Sequence, residues 1–202
     1  PSIETEALHP AYRNIREFDP DLHAAWAEGR TGWPFLDACM RSLQATGWIN
    51  FRMRAMLMSA SSYQLWNHWR EPGLHLARLF TDYEPGIHWP QTQMQSGTTG
   101  INTARIYNPV KQGLDQDPDG AFIRRWVPEL ADVPTSAIHQ PWTLSPLDQA
   151  DLGLTVGRDY PHPAVDHMEA GRSARAKIWS VRKGQPYRDT AEAIQDRHGS
   201  RR

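Results

Sequence analysis

The feature that most constrains the fold is a long stretch without helix breakers. Residues 49–69, 21 in all, contain neither glycine nor proline. Their apolar side chains recur at helical spacings, as at Met53, Met56, Leu57, Ala60 and Leu65. The stretch therefore predicts one amphipathic helix of about 30 Å, at 1.5 Å per residue.

Other segments carry the same helical signal. A stripe of Leu36, Met40 and Leu43 follows Pro34, which suits a first helical position, and ends at Gly47. Pro72 and Gly73 are expected to end the long helix. Further helices are predicted at 74–80, 120–126, 128–131 and 164–181. No strand alternation or βαβ rhythm is found, so the predicted fold class is all-α.

Two segments show no clean period. Residues 82–108 are rich in Gly, Thr, Gln and Asn and contain scattered apolar residues, which predicts an ordered functional loop. After the helix predicted at 128–131, a Pro/Asp-rich linker is expected to run to about residue 163. We expect a main domain over residues 1–167, followed by a final helix and a basic tail over 168–202. From 171 to 202 there are nine Lys/Arg and three Asp/Glu. This tail is either a solvated end or an arm that contacts phosphates.

Composition excludes several classes of protein. The 202 residues are 39% hydrophobic with a net charge of -1, which is ordinary for a soluble globular domain. No apolar run is long enough to span a membrane, and no signal peptide is visible, so a cytoplasmic protein is expected. Cys39 is the single cysteine, so we expect it to pack in a core, without an internal disulfide or a metal cluster.

The common chemical motifs are missing from the sequence. It contains no GxGxxG, GxxxxGK[ST], HExxH or CxxC pattern, and its nine histidines show no ligand spacing. Nine tryptophans are unusually many, which suits a cofactor pocket, an electron path or a large helical core. The residues alone do not name a reaction.

Five segments in order resemble the photolyase/cryptochrome family. They are WAEGRTGWPFLDACMRSLQATGWINFRMRAM, LFTDYEPGIHW, RIYNPVKQGLDQDPDGAFIRRWVPEL, IHQPW and YPHPAVDH, and they span roughly residues 25–167. The resemblance implies a multi-helical FAD-binding domain. It also implies light-driven electron transfer from reduced FAD to a pyrimidine lesion in DNA, as in a deoxyribodipyrimidine photo-lyase.

The resemblance assigns cofactor-binding positions. It implies that Arg54 and Asp82 pair beside the flavin ring, and that Glu84 lies near its pyrimidine edge. His88 falls at the position that faces flavin N5, where relatives commonly carry Asn or Asp. Asn50 lies in the same helical turn as Arg54 and is expected to reach the ring.

The catalytic positions implied by the resemblance are Trp69 and His88. Trp69 matches an electron-relay tryptophan, but its usual inner neighbour falls at Thr92, so the standard chain of three tryptophans is broken. Trp66, Trp89 or Tyr83 would then offer another route.

DNA contacts are implied for Arg52, Arg105 and Lys111, with damaged DNA as the partner. Phe51 stands where repair enzymes often carry an asparagine, which favours two alternatives: a cryptochrome-like blue-light receptor without repair activity, or a flavin-free helical binding module.

The sequence lacks the family's Ser/Thr-rich loop that holds the FAD phosphates and the W-x-E segment on the lesion side. We therefore expect a domain truncated at its N-terminal side, which retains FAD weakly or not at all.

Overall fold

The computed structural model describes residues 2–198, and between these limits the chain forms ten α-helices and no β-strand. The helices are α1 (Pro20–Ala27), α2 (Pro34–Thr46), α3 (Phe51–Ser59), α4 (Arg70–Leu79), α5 (Pro85–Ser96), α6 (Pro109–Gln116), α7 (Ala121–Trp126), α8 (Pro146–Asp151), α9 (His167–Val181) and α10 (Gln185–His198). The all-α fold class is confirmed. No helix within residues 2–198 is long and apolar enough to cross a membrane.

The central element is α2, which packs against α1, α3, α6 and α7. Pro34 opens it, and Gly47 closes it in the left-handed conformation with φ 72°. Asp37, fully buried in its first turn, accepts hydrogen bonds from Thr31, Gly32 and the Tyr160 hydroxyl. This carboxylate ties the segment before α2 to a segment more than a hundred residues later.

The predicted helix over residues 49–69 is wrong in its second half. Helix α3 ends at Ser59, one π-helical segment follows over Ala60–Gln64, and the helix stops at Leu65. Trp66 then takes a left-handed conformation with φ 52°. Its indole N–H donates to the Ile15 carbonyl at 3.1 Å, a contact that continuing the helix would forfeit. A tertiary contact therefore ends a helix that lacks a local stop signal.

The expectations for residues 70–108 need two corrections. Pro72 and Gly73 do not break a helix but lie in the first turns of α4, where the missing proline N–H has no helical partner to lose. The predicted loop over residues 82–108 contains α5, which carries Pro90 in its interior. Its start is marked by Glu84 at the N-cap and Pro85 at the first helical position.

The C-terminal third is also more helical than the sequence indicated. Helices α6, α8 and α10 were not predicted, and α9 begins at His167 rather than at residue 164. Each of α6 and α8 starts with a side-chain cap followed by proline, at Asn108 and Ser145. Residues 199–202, the end of the predicted basic tail, lie outside the described part of the chain.

Two apolar clusters form the interior. The larger surrounds α2, and Cys39 packs in it with no exposed surface, as predicted. Burial raises the pKa of the Cys39 thiol, which keeps it protonated. The smaller cluster joins Tyr12 and Tyr63 to Ala174 and Ile178 of α9, so the last helices are packed onto the main body.

Candidate functional site

A cleft of about 150 Å³ opens between α3, α4 and α5. Its floor is apolar, made by Ala55 and Met58 of α3, Leu76 of α4, and Phe80 just after α4. The rest of the lining is formed by Phe51, Arg54, Asp82, Tyr83, Glu84, Ile87, His88, Gln91, Thr92 and Gln95. The cleft thus combines an apolar base with a polar and aromatic rim.

Helix α5 supplies one wall of the cleft because one of its faces lines it. Four of the lining residues of this helix occupy positions i, i+3, i+4 and i+7, so they share one face: His88, Gln91, Thr92 and Gln95. The Glu84 carboxylate fixes where the helix begins by accepting the Gly86 N–H at 3.1 Å. The prediction of a loop over residues 82–108 is wrong at this point, because the segment carries the helical face that forms the wall. The sequence signal for this wall is the i, i+3, i+4, i+7 spacing of these four residues.

Arg54 crosses the cleft from α3 and is fixed at three points. Its Nε donates to the Ile49 carbonyl at 2.8 Å, and its Nη2 donates to Asp82 Oδ2 at 2.9 Å. Its guanidinium carbon lies 4.2 Å from the centroid of the Phe80 ring. The predicted Arg54–Asp82 pair is confirmed as a contact, and the hydrogen bond from Arg54 lowers the pKa of Asp82.

His88 is buried in the wall with its tautomer set by its neighbour. Its Nε2 lies 2.8 Å from the carbonyl oxygen of Gly73, which can only accept, so Nε2 carries the proton. The other ring nitrogen, Nδ1, is then an acceptor. Burial lowers the pKa of His88 because it disfavours the imidazolium, so the ring is neutral near pH 7.

A line of aromatic contacts leads away from the cleft into the core. The Tyr83 and His88 rings lie 5.3 Å apart, and His88 and Trp89 lie 5.0 Å apart, each pair edge to face. Trp89 meets Trp69 at 6.1 Å, and its indole N–H donates to the Tyr83 hydroxyl at 3.1 Å. Thr92 lines the cleft one turn later, and its methyl lies beside Gly73.

Other predicted site residues lie outside the cleft lining. Asn50 is the N-cap of α3, and its side chain accepts the Met53 N–H at 3.1 Å. Arg52 is exposed on α3, and Arg105 is exposed in the segment before α6. Lys111 is exposed on α6 and pairs with Asp115 at 2.8 Å.

Sequence reasoning missed the floor of the cleft. Ala55, Met58, Leu76 and Phe80 appear in the sequence only as ordinary core residues, and their convergence depends on how three helices pack. Together with Arg54, Asp82 and His88, they offer an apolar surface edged by donors and acceptors. Such a surface suits a planar heteroaromatic ring with polar atoms on its edge.

Comparison with known proteins agrees with this interpretation. Residues 1–180 match the family model described as the FAD binding domain of DNA photolyase. A deoxyribodipyrimidine photo-lyase of Streptomyces griseus is 42% identical over 179 residues, which cover 88% of this chain and 38% of that protein. A cryptochrome DASH of Gloeobacter violaceus is 35% identical, over 80% of this chain and 34% of that protein.

The fold matches solved structures of the same group. The crystal structure of a bacterial class III photolyase from Agrobacterium tumefaciens superposes with a TM-score of 0.82 at 29% identity, over 91% of this chain and 39% of that one. The chain thus spans a little over a third of the length of the relatives it matches. It belongs to the photolyase/cryptochrome family and represents part of that family's helical FAD-binding domain.

Proposed function

We propose that this chain is the flavin-holding part of a DNA photolyase, which uses light to transfer an electron from reduced FAD to a pyrimidine lesion. The observation that carries the proposal is the mouth of the cleft. Phe51 and Ile87 stand on its rim with 59% and 65% of their surfaces exposed. A lesion that leaves the base stack needs apolar surface at the entrance to its pocket. Phe51 replaces the asparagine that repair enzymes often carry there, and in this proposal its ring offers a flipped base a stacking surface in place of an amide.

The cleft residues fit the isoalloxazine ring of FAD. The apolar floor matches the ring faces, and the polar rim matches the ring edge, which carries carbonyl oxygens and nitrogens. In this assignment Arg54, Asp82 and Glu84 would hold the polar edge of the ring, and His88 Nδ1 would offer a hydrogen-bond acceptor. Hydrogen bonds of this kind contribute roughly 0.5–1.5 kcal/mol each.

FAD, when bound, supplies the light absorption and the one-electron chemistry. The protein's residues hold and tune the site. Arg54 keeps a positive charge beside the ring, and its three fixed contacts prevent it from turning away. Neutral His88 accepts a hydrogen bond without adding charge. The apolar floor excludes water on one side, which strengthens the electrostatic interactions on the other.

The route for electrons from the protein is assigned to Trp89 and Trp69. They replace the tryptophan pair that Thr92 interrupts, because their rings are in contact and His88 connects them to the cleft wall. We expect Trp89→Phe and Trp69→Phe each to slow photoreduction of bound flavin. Trp48→Phe, an exposed tryptophan outside the cleft lining, is the matched control. Equal photoreduction in all three variants would exclude this route.

Damaged DNA is the proposed partner. Arg52 lies one residue from the rim at Phe51, and its exposed guanidinium is available to a phosphate. Arg105 is exposed in the same way, whereas Lys111 shares its charge with Asp115. Loss of Arg52 should therefore weaken DNA binding more than loss of Lys111.

The decisive experiment exposes the purified chain, supplied with FAD and a reductant, to blue light with an oligonucleotide that carries one thymine dimer. Loss of dimer, followed by chromatography, is the expected result, and Phe51→Ser should reduce it. Flavin photoreduction without dimer loss would instead assign a cryptochrome-like light receptor. Absence of any flavin binding at saturating FAD would refute the assignment of the cleft as a flavin-ring site in this chain.

A further inference from the structure

The outward face of α9 carries side chains that the cleft does not use. Four residues at successive spacings of four, three and four lie within about 100° of the helix circumference: Met168, Arg172, Arg175 and Trp179. All four are exposed, and Trp179 exposes 65% of its surface. We call these four residues the α9 stripe.

The orientation of the α9 stripe is fixed by the opposite side of the helix. Ala174 and Ile178 are buried in the smaller cluster, so α9 cannot rotate without exposing them. Asp166 caps the helix by accepting the Met168 and Glu169 N–H groups, both at 2.9 Å. The exposed tryptophan is therefore a consequence of a well-anchored helix.

The two arginines of the α9 stripe form no salt bridge in the described part of the chain, although Arg172 interacts electrostatically with Asp166 at the start of the helix. Within residues 2–198, no carboxylate lies within 4.0 Å of the guanidinium of Arg172 or Arg175. Lys183, just beyond the helix, is also exposed. Two arginines and an uncovered indole on one helical face form a positive surface with a stacking platform.

The α9 stripe adjoins the segment that carries Arg105. Asn108 Nδ2 lies 3.2 Å from Met168 Sδ, and Arg182 Nη2 donates to the Asn102 carbonyl at 2.8 Å. The segment over residues 102–108 therefore runs along α9 and is held at both ends. Arg105 and the α9 stripe belong to neighbouring parts of one surface.

From this arrangement we infer that the α9 stripe binds single-stranded DNA, with phosphates on Arg172 and Arg175 and a base stacked on Trp179. Proteins that hold single strands without sequence preference combine a basic track with exposed aromatic rings in this way. The inference rests on the DNA partner of the proposed function and extends its contacts from the mouth of the cleft to the surface that α9 shares with Arg105. It requires neither flavin nor a lesion, so the two can be tested apart.

The test measures the anisotropy of a fluorescein-labelled oligo-dT in the dark, with the full chain and increasing salt. The double variant R172Q/R175Q should reduce the slope of log K against log salt by about 1.4, since each single-strand phosphate contact contributes about 0.7. Trp179→Ala should weaken binding about 5- to 150-fold, and Trp179→Phe should restore most of it. Arg78→Gln and Trp48→Ala, exposed residues elsewhere, are the controls and should bind like the wild type.

Three results would overturn the inference. The first is no binding of oligo-dT at low salt. The second is binding that Arg52 and Arg105 variants weaken but the stripe variants do not, which would leave the proposed function intact. The third is equally tight binding of polyglutamate with the same loss in Trp179→Ala, which would assign an acidic peptide instead. Failure of blue-light repair alone, with stripe-dependent binding preserved, would refute only the proposed function.

Discussion

Arg54 and Asp82 form an ion pair across the cleft, but the two residues should contribute very unequally to stability. Replacing Arg54 with Met keeps the apolar stem and removes three interactions. A charge-assisted hydrogen bond to the Ile49 carbonyl is worth about 1.5–3 kcal/mol. The contact with the Phe80 ring adds about 0.5–1 kcal/mol. Asp82 exposes 49% of its side chain, so the ion pair contributes about 0.2–1 kcal/mol.

Since the contacts share one guanidinium, we expect Arg54→Met to lower the free energy of unfolding by about 2–3 kcal/mol. Asp82→Asn should lower it by under about 1 kcal/mol, because only the pair is lost. The pair's share is also pH-dependent. Arg54 lowers the pKa of Asp82, so this share is present above the ordinary carboxyl range near pH 4 and is lost as the pH falls through the lowered pKa.

Urea unfolding of the wild type, both single variants and the double variant measures these differences and their coupling. Arg54→Lys is the matched control: it keeps the charge but cannot make the fixed three-point contact, so it should behave more like Arg54→Met than like the wild type. Equal losses in Arg54→Met and Asp82→Asn would refute the reasoning, because they would show that the ion pair alone holds the side chain.

Three further outcomes are expected. Burial raises the pKa of Asp37 to about 6, so proton binding by this carboxyl stabilises the fold at low pH, and that stabilisation is lost as the pH rises towards 6. The free energy of unfolding of the wild type, measured in urea relative to Asp37→Asn, should therefore fall by up to about 3 kcal/mol between pH 4 and pH 7. A difference that does not change with pH would contradict this. Gly97→Ala should lower the free energy of unfolding by about 2–4 kcal/mol, measured by thermal or urea unfolding, because φ is +73° and the added Cβ would overlap the Tyr63 hydroxyl. Gly153→Ala is the control: with φ +63° and open space around the Cβ, it should lower it by only about 1–2 kcal/mol. Equal losses would exclude the overlap. The 202-residue chain should be purified with little FAD, because the cleft residues surround only a ring, whereas the phosphates need backbone N–H donors or arginines. The measurement is flavin absorbance per protein after gel filtration. Stoichiometric FAD at that point would show that the phosphates are held within this chain.

Local signals in the sequence determined the class of the fold and several helix ends. Pro34 and Gly47 bound α2 where the sequence predicted, because a proline at the first turn and a left-handed glycine act through backbone geometry alone. The Arg54–Asp82 contact followed from a family resemblance in two short motifs. The division of the chain at residue 167 and the roles assigned around the flavin remain predictions.

The tertiary structure decided what no local signal encodes. Helix α3 passes into a π-helical segment and stops at Leu65, where the Trp66 indole donates to the Ile15 carbonyl, some fifty residues away in the chain. Helix α5 forms through Pro90 because its face completes the cleft and packs on α3 and α4. Long-range hydrogen bonds and burial each contribute on the order of 1–2 kcal/mol, which exceeds the few tenths that separate most residues in helix propensity. Several such contacts together are needed to offset the roughly 3 kcal/mol that an interior proline costs. The floor of the cleft and the Trp89–Trp69 contact exist only because packing brings these helices together.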